Sequence, residues 1–249
     1  MLHLLAAFIF FTRLPFWCLA EVPGEYFKHV VSWWPLVGWF TAGVSVLVLY
    51  ASSLILPDAV AVLLASLTRL LITGCLHEDG LADFFDGFGG GTSRERIMAI
   101  MKDSHIGSYG VIGLIGYFAL YYTLLSSLPL TVAGAAMLAG DPFSKGVSAM
   151  IINRLPYARK EEEAKNKTVY SRMTATEYLI CLIPACLSLY WLPDTVYAGA
   201  ALFPIVVWYL LTSLMKHKIQ GYTGDCCGAL FLLCELSFML GIVIIHTLS

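Results

Sequence analysis

Charge is the component that this sequence has least of. Only 13% of its 249 residues are Asp, Glu, Lys or Arg, and 59% are hydrophobic, whereas soluble domains average about 25% charged residues. So small a charged fraction, with a mean hydropathy of +0.78, excludes an ordinary soluble domain and indicates a membrane protein. The net charge of −2 excludes the strong positive field of nucleic-acid-binding proteins, so no nucleic-acid partner is expected.

Two further absences exclude a metal-binding cysteine framework and a signal peptide. No two of the seven cysteines form a CxxC pair, so we read them as small hydrophobic residues. The first apolar stretch, Leu2 to Phe11, has no basic residue before it and no small-residue cleavage site after it. It is therefore predicted to be a short N-terminal interfacial helix rather than a cleaved signal peptide.

Seven apolar runs approach the roughly twenty residues that a membrane-spanning helix needs. Turns at Pro57-Asp58, Pro129 and Pro193-Asp194 join six of them into hairpins. The prediction is an all-α fold, a polytopic integral membrane helical bundle of about seven transmembrane helices, forming one catalytic domain over residues 1–249. The predicted spans are Val31 to Leu56, Ala59 to Leu76, Tyr109 to Leu128, Thr131 to Ile152, Glu177 to Leu192, Val196 to Met215 and Gly228 to Leu248.

The basic residues lie almost entirely on one side of this topology. Of the 15 Lys and Arg residues, all but Arg69 and Lys145 fall on the same side, either before the first span or between spans. The three hairpin turns contain none. Basic residues near membrane segments concentrate on the cytoplasmic side. We therefore expect a cytoplasmic (inner) membrane protein whose loops 153–176 and 216–227, and whose acidic stretch 74–110, face the cytoplasm.

The acidic stretch 74–110 is predicted to be a metal-site loop. Its residues Asp79, Asp83 and Asp86 have i, i+4, i+7 spacing, which places three carboxylates on one face of a helix. Oxygen ligands of this kind suit Mg²⁺, or else Mn²⁺. A solvated acidic face is disfavoured because apolar residues such as Phe84 and Phe85 alternate with the acids. The predicted metal ligands are Glu78, Asp79, Asp83, Asp86 and Asp103.

Basic and titratable groups beside these acids suggest a diphosphate site. Arg94 and Arg96 can neutralise charge on phosphate oxygens while a metal bridges them, and Lys102 is assigned to substrate binding. His77 and His105 bracket the site, each either as a base or as a hydrogen-bonding support. The predicted catalytic residues are Asp79, Asp83, Asp86, His77, Arg94, Arg96 and Asp103.

Four charged residues fall inside predicted spans: Arg69, Asp141, Lys145 and Glu235. They either pair structurally, as Lys145 can with Asp141 one helical turn away, or line a cavity in which Arg69 and Lys145 meet phosphate oxygens. The segment GYTGDCCGA likewise reads either as an ordinary turn or as a further part of the site, supplied by Thr223 and Asp225.

Six motifs spread over the chain are FFTRLP at 10–15, WPLVG at 34–38, GCLHEDGLADFFDGFGG at 74–90, RERIMAIMKDSHIGSYG at 94–110, PYAR at 156–159 and GYTGDCCGA at 221–229. On these motifs the chain resembles, over nearly its whole length, the adenosylcobinamide-GDP ribazoletransferase family, also called cobalamin synthases. Cys75 stands where the family usually has a second glycine, and Lys145 where arginine is commoner.

The resemblance implies a Mg²⁺-dependent transfer in which a hydroxyl of α-ribazole, or of its 5′-phosphate, attacks adenosylcobinamide-GDP and expels GMP. Two other classes stay open. A lipid-headgroup phosphotransferase is suggested by DxxDG at 83–87, although its expected Ala-Arg is missing, and a cation transporter would use Asp79, Asp83 and Asp86. Self-association, or association with other corrinoid-pathway enzymes, is also left open.

Overall fold

The computed structural model describes residues 1–158 and 169–249, and the regular structure in these ranges is helical. The α-helices are α1 (Leu2–Phe11), α2 (Trp34–Ser53), α3 (Asp58–Thr73), α4 (Leu76–Gly90), α5 (Arg94–Ile100), α6 (Ser108–Ser126), α7 (Leu130–Ala149), α8 (Ile151–Arg154), α9 (Ala175–Leu187), α10 (Leu202–Ile219) and α11 (Gly224–Leu248). Short 3₁₀ helices cover Phe16–Cys18, Gly24–Trp33, Ser188–Trp191 and Thr195–Ala201. An isolated β-bridge joins Tyr157 to Tyr222.

The all-α prediction is confirmed, and the helix ends follow the turn residues of the sequence. Pro57 and Pro129 precede the first residues of α3 and α7, where the fixed φ of proline is compatible with helix initiation. The predicted N-terminal helix has the observed bounds Leu2–Phe11.

A sharp break separates α3 from α4. Gly74 and Cys75 both adopt left-handed backbone conformations, with φ of 62° and 58°, which end α3. The two helices consequently meet at 90°, so α4 turns sideways instead of extending α3. The span predicted to run to Leu76 therefore ends at Thr73.

Four helices form the centre of the bundle: α2 packs on α7, α4 packs on α11, and α7 packs on α11. The outer faces of α3, α6 and α10 expose large apolar side chains such as Leu71, Ile112 and Leu210. Apolar faces of this kind are stable against lipid, so the fold is that of a membrane-embedded protein.

By length and hydropathy, four helical segments in the described part of the chain can cross a membrane: Gly24–Ser53, Ser108–Ser126, Thr195–Ile219 and Gly224–Leu248. A fifth crossing is present if α3 and α4 form one bent span. The predicted count of seven is not confirmed.

The predicted loops are shorter than expected. The stretch 74–110, expected as a metal-site loop, is mostly helical because α4 and α5 occupy most of it. The loop expected at 216–227 is reduced to residues 220–223, because the Thr223 side chain accepts the N–H of Cys226 and begins α11 early. Of the loop 153–176, residues 159–168 lie outside the described residues.

Candidate active site

The candidate site lies where the first turn of α4 meets the N-terminus of α11. Two glycines allow this close contact. A Cβ atom on Gly80 would lie 2.9 Å from the carbonyl oxygen of Asp225, and one on Gly228 would lie 3.1 Å from that of His77. Larger residues at either position would push the helices apart. The backbone packing thus brings the acidic stretch next to Asp225 of the GYTGDCCGA segment, whereas Thr223 caps α11 and is absent from the cavity lining.

A cavity of about 120 Å³ opens at this contact. Asp79 from α4 and Asp225 from α11 both line it, together with His77. Asp79 is exposed and Asp225 partly exposed. The remaining walls come from the chain's N-terminal part, from the connection after α8 and from α4 and α11 themselves. They are Phe10, Phe11, Val31, Trp34, Leu76, Tyr157, Tyr170, Gly224, Cys227 and Gly228.

His77 is buried among aromatic rings at the inner wall of the cavity. Its ring centroid lies 5.5 Å from that of Trp34 and 5.0 Å from that of Phe231. Within the described residues neither ring nitrogen has a hydrogen-bond partner. Unsatisfied buried polar atoms are rare in proteins and mark positions where a ligand or a water belongs. His77 is therefore a buried residue beside the cavity whose two ring nitrogens are both left without a partner among the described residues.

Asp86 caps the N-terminus of α6, a structural role that its spacing in the sequence did not predict. Its two carboxylate oxygens accept the backbone N–H groups of Gly107 at 2.7 Å and Gly110 at 2.8 Å. These are donors at the N-terminus of α6, which have no partner within the helix. A carboxylate there also interacts favourably with the helix dipole. Asp86 thus joins α4 to α6, and its assignment as a metal ligand stays a prediction.

We expect Asp86→Asn to destabilise the protein by about 1–3 kcal/mol, because the new amide NH₂ would face a buried N–H donor. Thermal unfolding in detergent measures this effect. Asp58→Asn, at the exposed start of α3, is the control and should cost less. Equal unfolding temperatures for the wild type and Asp86→Asn would contradict the capping role.

The core behind the cavity contains an ion-pair network centred on Arg69. Its guanidinium pairs with Glu235 on α11 and donates to the hydroxyl of Tyr117 on α6 at 2.7 Å. It also lies 3.6 Å from a carboxylate oxygen of Glu78 on α4. Arg69 is 5% exposed and Glu235 is 1% exposed. The structural-pairing alternative therefore describes Arg69, which ties α3 to three other helices. Contact between Arg69 and substrate stays a prediction.

Lys145 is also paired, with Asp141 as the i, i+4 spacing predicted. Its ammonium group donates to Thr41 at 3.1 Å, and Thr41 donates to the second oxygen of Asp141 at 3.0 Å. Gly38 permits this arrangement, since a Cβ there would lie 2.7 Å from Asp141. Lys145 is fully buried and is absent from the lining of the cavity that holds Asp79. Its assignment to substrate binding stays a prediction.

The remaining predicted residues lie away from the cavity lining. Arg94 donates to the carbonyl oxygens of Ile219 at 2.9 Å and Ala158 at 3.1 Å, so it braces the end of α10. Arg96 and Lys102 are exposed. In the turn before α6, Asp103 accepts hydrogen bonds from the backbone and ring of His105. These bonds, the backbone one first, hold the pKa of the Asp103 carboxyl below its usual value.

The donor set at the cavity suits a hard cation brought in with substrate. Mg²⁺ is usually bound through one or two carboxylates plus substrate phosphates rather than by an all-protein cage. Asp79 and Asp225 supply two carboxylates at one cavity, with Asp83 one turn further along α4. Among the described residues, no three His, Cys, Asp or Glu side chains come together as a metal site. The two cavity carboxylates therefore fit a Mg²⁺ ion that is bound partly by substrate phosphates.

The sequence pattern predicted the acids and the GYTGDCCGA segment as parts of the site, but it did not predict the residues that form the cavity walls. Phe11, Trp34 and Tyr170 come from parts of the chain that are distant from α4 in sequence, and no local pattern marks them as neighbours. The partner of Glu235 was also missed, because Arg69 lies 166 positions away. One signal was available: two intramembrane charges of opposite sign require partners in the bilayer.

The fold and site together define a membrane-embedded helical protein with carboxylates and a buried histidine around a small cavity. The family model for cobalamin-5-phosphate synthase matches residues 3–243. The chain belongs to the cobalamin-5-phosphate synthase family.

Curated relatives agree with this assignment over nearly the full chain. A protein of Shewanella sp. (strain W3-18-1) is 36% identical over 98% of this chain and 94% of its own length. One of Shewanella amazonensis (strain ATCC BAA-1098 / SB2B) is 38% identical over 98% and 96%. One of Shewanella baltica (strain OS185) is 38% identical over 90% and 87%. All three are named adenosylcobinamide-GDP ribazoletransferase. No solved structure matches this chain.

Proposed function

We propose that this protein transfers the adenosylcobinamide phosphoryl group from adenosylcobinamide-GDP to α-ribazole or α-ribazole 5′-phosphate, releasing GMP. The product is adenosylcobalamin or its 5′-phosphate. Membership of the cobalamin-5-phosphate synthase family and the names of the relatives support this reaction. The structural observation that carries it is the cavity where α4 and α11 bring Asp79, Asp225 and His77 together.

The N-terminus of α11 supports the binding of a diphosphate in this cavity. Gly224, Asp225 and Gly228 place the N-terminus of α11 in its wall. The free N–H groups and the dipole of a helix N-terminus attract phosphate oxygens. Gly224 has nothing within 4 Å of the position of a Cβ, so a phosphate can approach the backbone there.

We propose that Asp79 and Asp225, with Asp83, hold Mg²⁺, or Mn²⁺, together with the diphosphate. A bound divalent cation would neutralise phosphate charge during transfer. His77 would accept the proton of the attacking ribazole hydroxyl, because His77 is one of the residues that line the cavity and both of its ring nitrogens are unpartnered among the described residues. The hydroxyl oxygen forms the new bond to phosphorus, and the bond to the bridging oxygen breaks, so its electron pair leaves on GMP.

The reaction is tested with detergent-solubilised protein, Mg²⁺, adenosylcobinamide-GDP and α-ribazole. We expect release of GMP and formation of adenosylcobalamin, one for one, and loss of both on addition of EDTA. A parallel reaction offers CDP-diacylglycerol and a small alcohol. Release of CMP there, without release of GMP from the cobinamide substrate, would overturn the assignment in favour of a lipid-headgroup phosphotransferase.

We also propose seven crossings of the inner membrane with the active site facing the cytoplasm, on the basis of the one-sided distribution of basic residues. A cysteine at Ser171 should react with an impermeant thiol reagent in inverted vesicles but not in intact cells. The exposed native cysteines Cys18, Cys75 and Cys186 are first replaced by serine. Thr195→Cys, in the turn before α10, is the matched probe for the opposite side. Labelling of Ser171→Cys from outside intact cells would invert the orientation.

A further inference from the structure

A second cavity, of about 470 Å³, lies beside the candidate active site. The two cavities share Phe10 from α1 and Leu76 from α4 as lining residues, so they are adjacent. The first cavity is too small for a nucleotide, whereas the second falls within the roughly 300–1,000 Å³ of small-ligand pockets. Its other lining residues are Ile9, Thr12, Arg13, Phe27 and Thr73.

Among the described residues that line this cavity, Arg13 is the only charged one. Within residues 1–158 and 169–249, its guanidinium makes no hydrogen bond or ion pair. The two lining hydroxyls already donate elsewhere: Thr12 to the carbonyl oxygen of Phe8 at 2.7 Å, and Thr73 to that of Arg69 at 3.0 Å. The guanidinium is therefore the donor that remains available to a ligand in this cavity.

The backbone holds Arg13 in place. Its N–H donates to the carbonyl oxygen of Ile72 at 2.7 Å, which attaches the segment after α1 to the end of α3. Its side chain crosses Gly74, where a Cβ would lie 2.6 Å from Nε. The helix break at Gly74 thus provides the space for Arg13 and turns α4, with Asp79, towards the neighbouring cavity.

We infer that this second cavity binds the GMP half of the nucleotide substrate, with Arg13 on its phosphate and the purine against Phe10 and Phe27. The inference rests on the proposed function. A guanidinium binds phosphate oxygens through two parallel hydrogen bonds, and bases stack on aromatic side chains. If the reacting phosphorus lies in the first cavity, the phosphate that leaves as part of GMP lies in the second cavity. Arg13 then offsets the negative charge that this leaving phosphate gains.

A phospholipid headgroup presents the same phosphate chemistry, so the experiment separates the two sources. Equilibrium dialysis measures GMP binding to the full-length protein in phosphatidylcholine nanodiscs, with guanosine and inorganic phosphate as competitors. We expect Arg13→Ala to weaken GMP binding about tenfold or more, and Arg13→Lys to weaken it less. Phe27→Ala should weaken binding of GMP but not of inorganic phosphate. Lys218→Ala removes an exposed cation on α10 and should change neither.

Three results would overturn the inference: no binding of GMP by the wild type, equal GMP affinity in Arg13→Ala, or equal loss in Lys218→Ala. The lipid source would appear as weaker thermal stabilisation of Arg13→Ala by phosphatidylglycerol, with GMP affinity unchanged. Turnover of the wild type is measured separately. Release of GMP by an enzyme whose Arg13→Ala variant still binds GMP normally refutes this subsite and leaves the proposed function standing.

Discussion

Asp79→Asn should reduce turnover by about 1,000-fold or more, which corresponds to about 4 kcal/mol of transition-state stabilisation, without lowering the unfolding temperature. Asp79 lines the cavity and is exposed. Among the described residues, its carboxylate makes no hydrogen bond that would stabilise the fold. Asparagine keeps the size of the side chain but removes the negative charge that a divalent cation requires.

The measurements are GMP release at saturating substrates and a Mg²⁺ titration of each variant. Asp79→Glu restores the charge at a shifted position, so we expect partial activity and a higher Mg²⁺ requirement. Asp58→Asn removes an exposed carboxylate at the far end of α3 and should leave turnover unchanged. If Asp79→Asn kept near-wild-type turnover with the same Mg²⁺ dependence, the carboxylate assignment would be wrong.

Arg69→Met should destabilise the protein by about 3–5 kcal/mol, because removing one partner of a buried ion pair leaves an uncompensated charge. Here two carboxylates lose their partner, Glu235 on α11 and Glu78 on α4. The Tyr117 hydroxyl also loses its bond to Arg69. Since α4 and α11 carry Asp79 and Asp225, we expect reduced turnover in any folded fraction as well.

A double variant distinguishes charge burial from simple loss of packing. Arg69→Met combined with Glu235→Leu removes both charges of the closest pair and should recover part of the lost stability. Arg154→Met is the control: Arg154 is exposed and lies over the ring of Trp208 at 4.9 Å, so its loss should cost about 1 kcal/mol or less. A wild-type unfolding temperature for Arg69→Met would show that the network does not hold the helices together.

Local features of the sequence were sufficient to predict an all-helical fold and one ion pair. Apolar run length and the positions of Pro57 and Pro129 predicted where α3 and α7 begin, because both act on neighbouring residues along the chain. The same locality explains Lys145 and Asp141, whose i, i+4 spacing brings them together on any helix. The acidic residues were recognised because carboxylates are rare among apolar neighbours in this chain.

Only the tertiary structure determined which contacts each of those carboxylates makes. Spacing placed Asp79, Asp83 and Asp86 on one face of a helix, yet a helix face is wide enough to touch different neighbours along its length. The 90° break at Gly74 lays α4 between α11 and α6, so Asp79 reaches the cavity while Asp86 bonds to the start of α6. Which neighbour each carboxylate meets depends on packing between elements far apart in sequence.

The sequence by itself determined an all-helical membrane protein, the location of its acidic stretch and its family resemblance, since composition, periodicity and motifs are properties of the chain alone. The structure decided which groups share a cavity. Arg69 and Glu235 lie 166 positions apart, and the contact of Gly80 with Asp225 joins segments that no local pattern pairs. Such contacts depend on the assembled bundle, because a buried charge is tolerated only when its partner is in place. Close helix packing at glycines likewise requires the neighbouring helix.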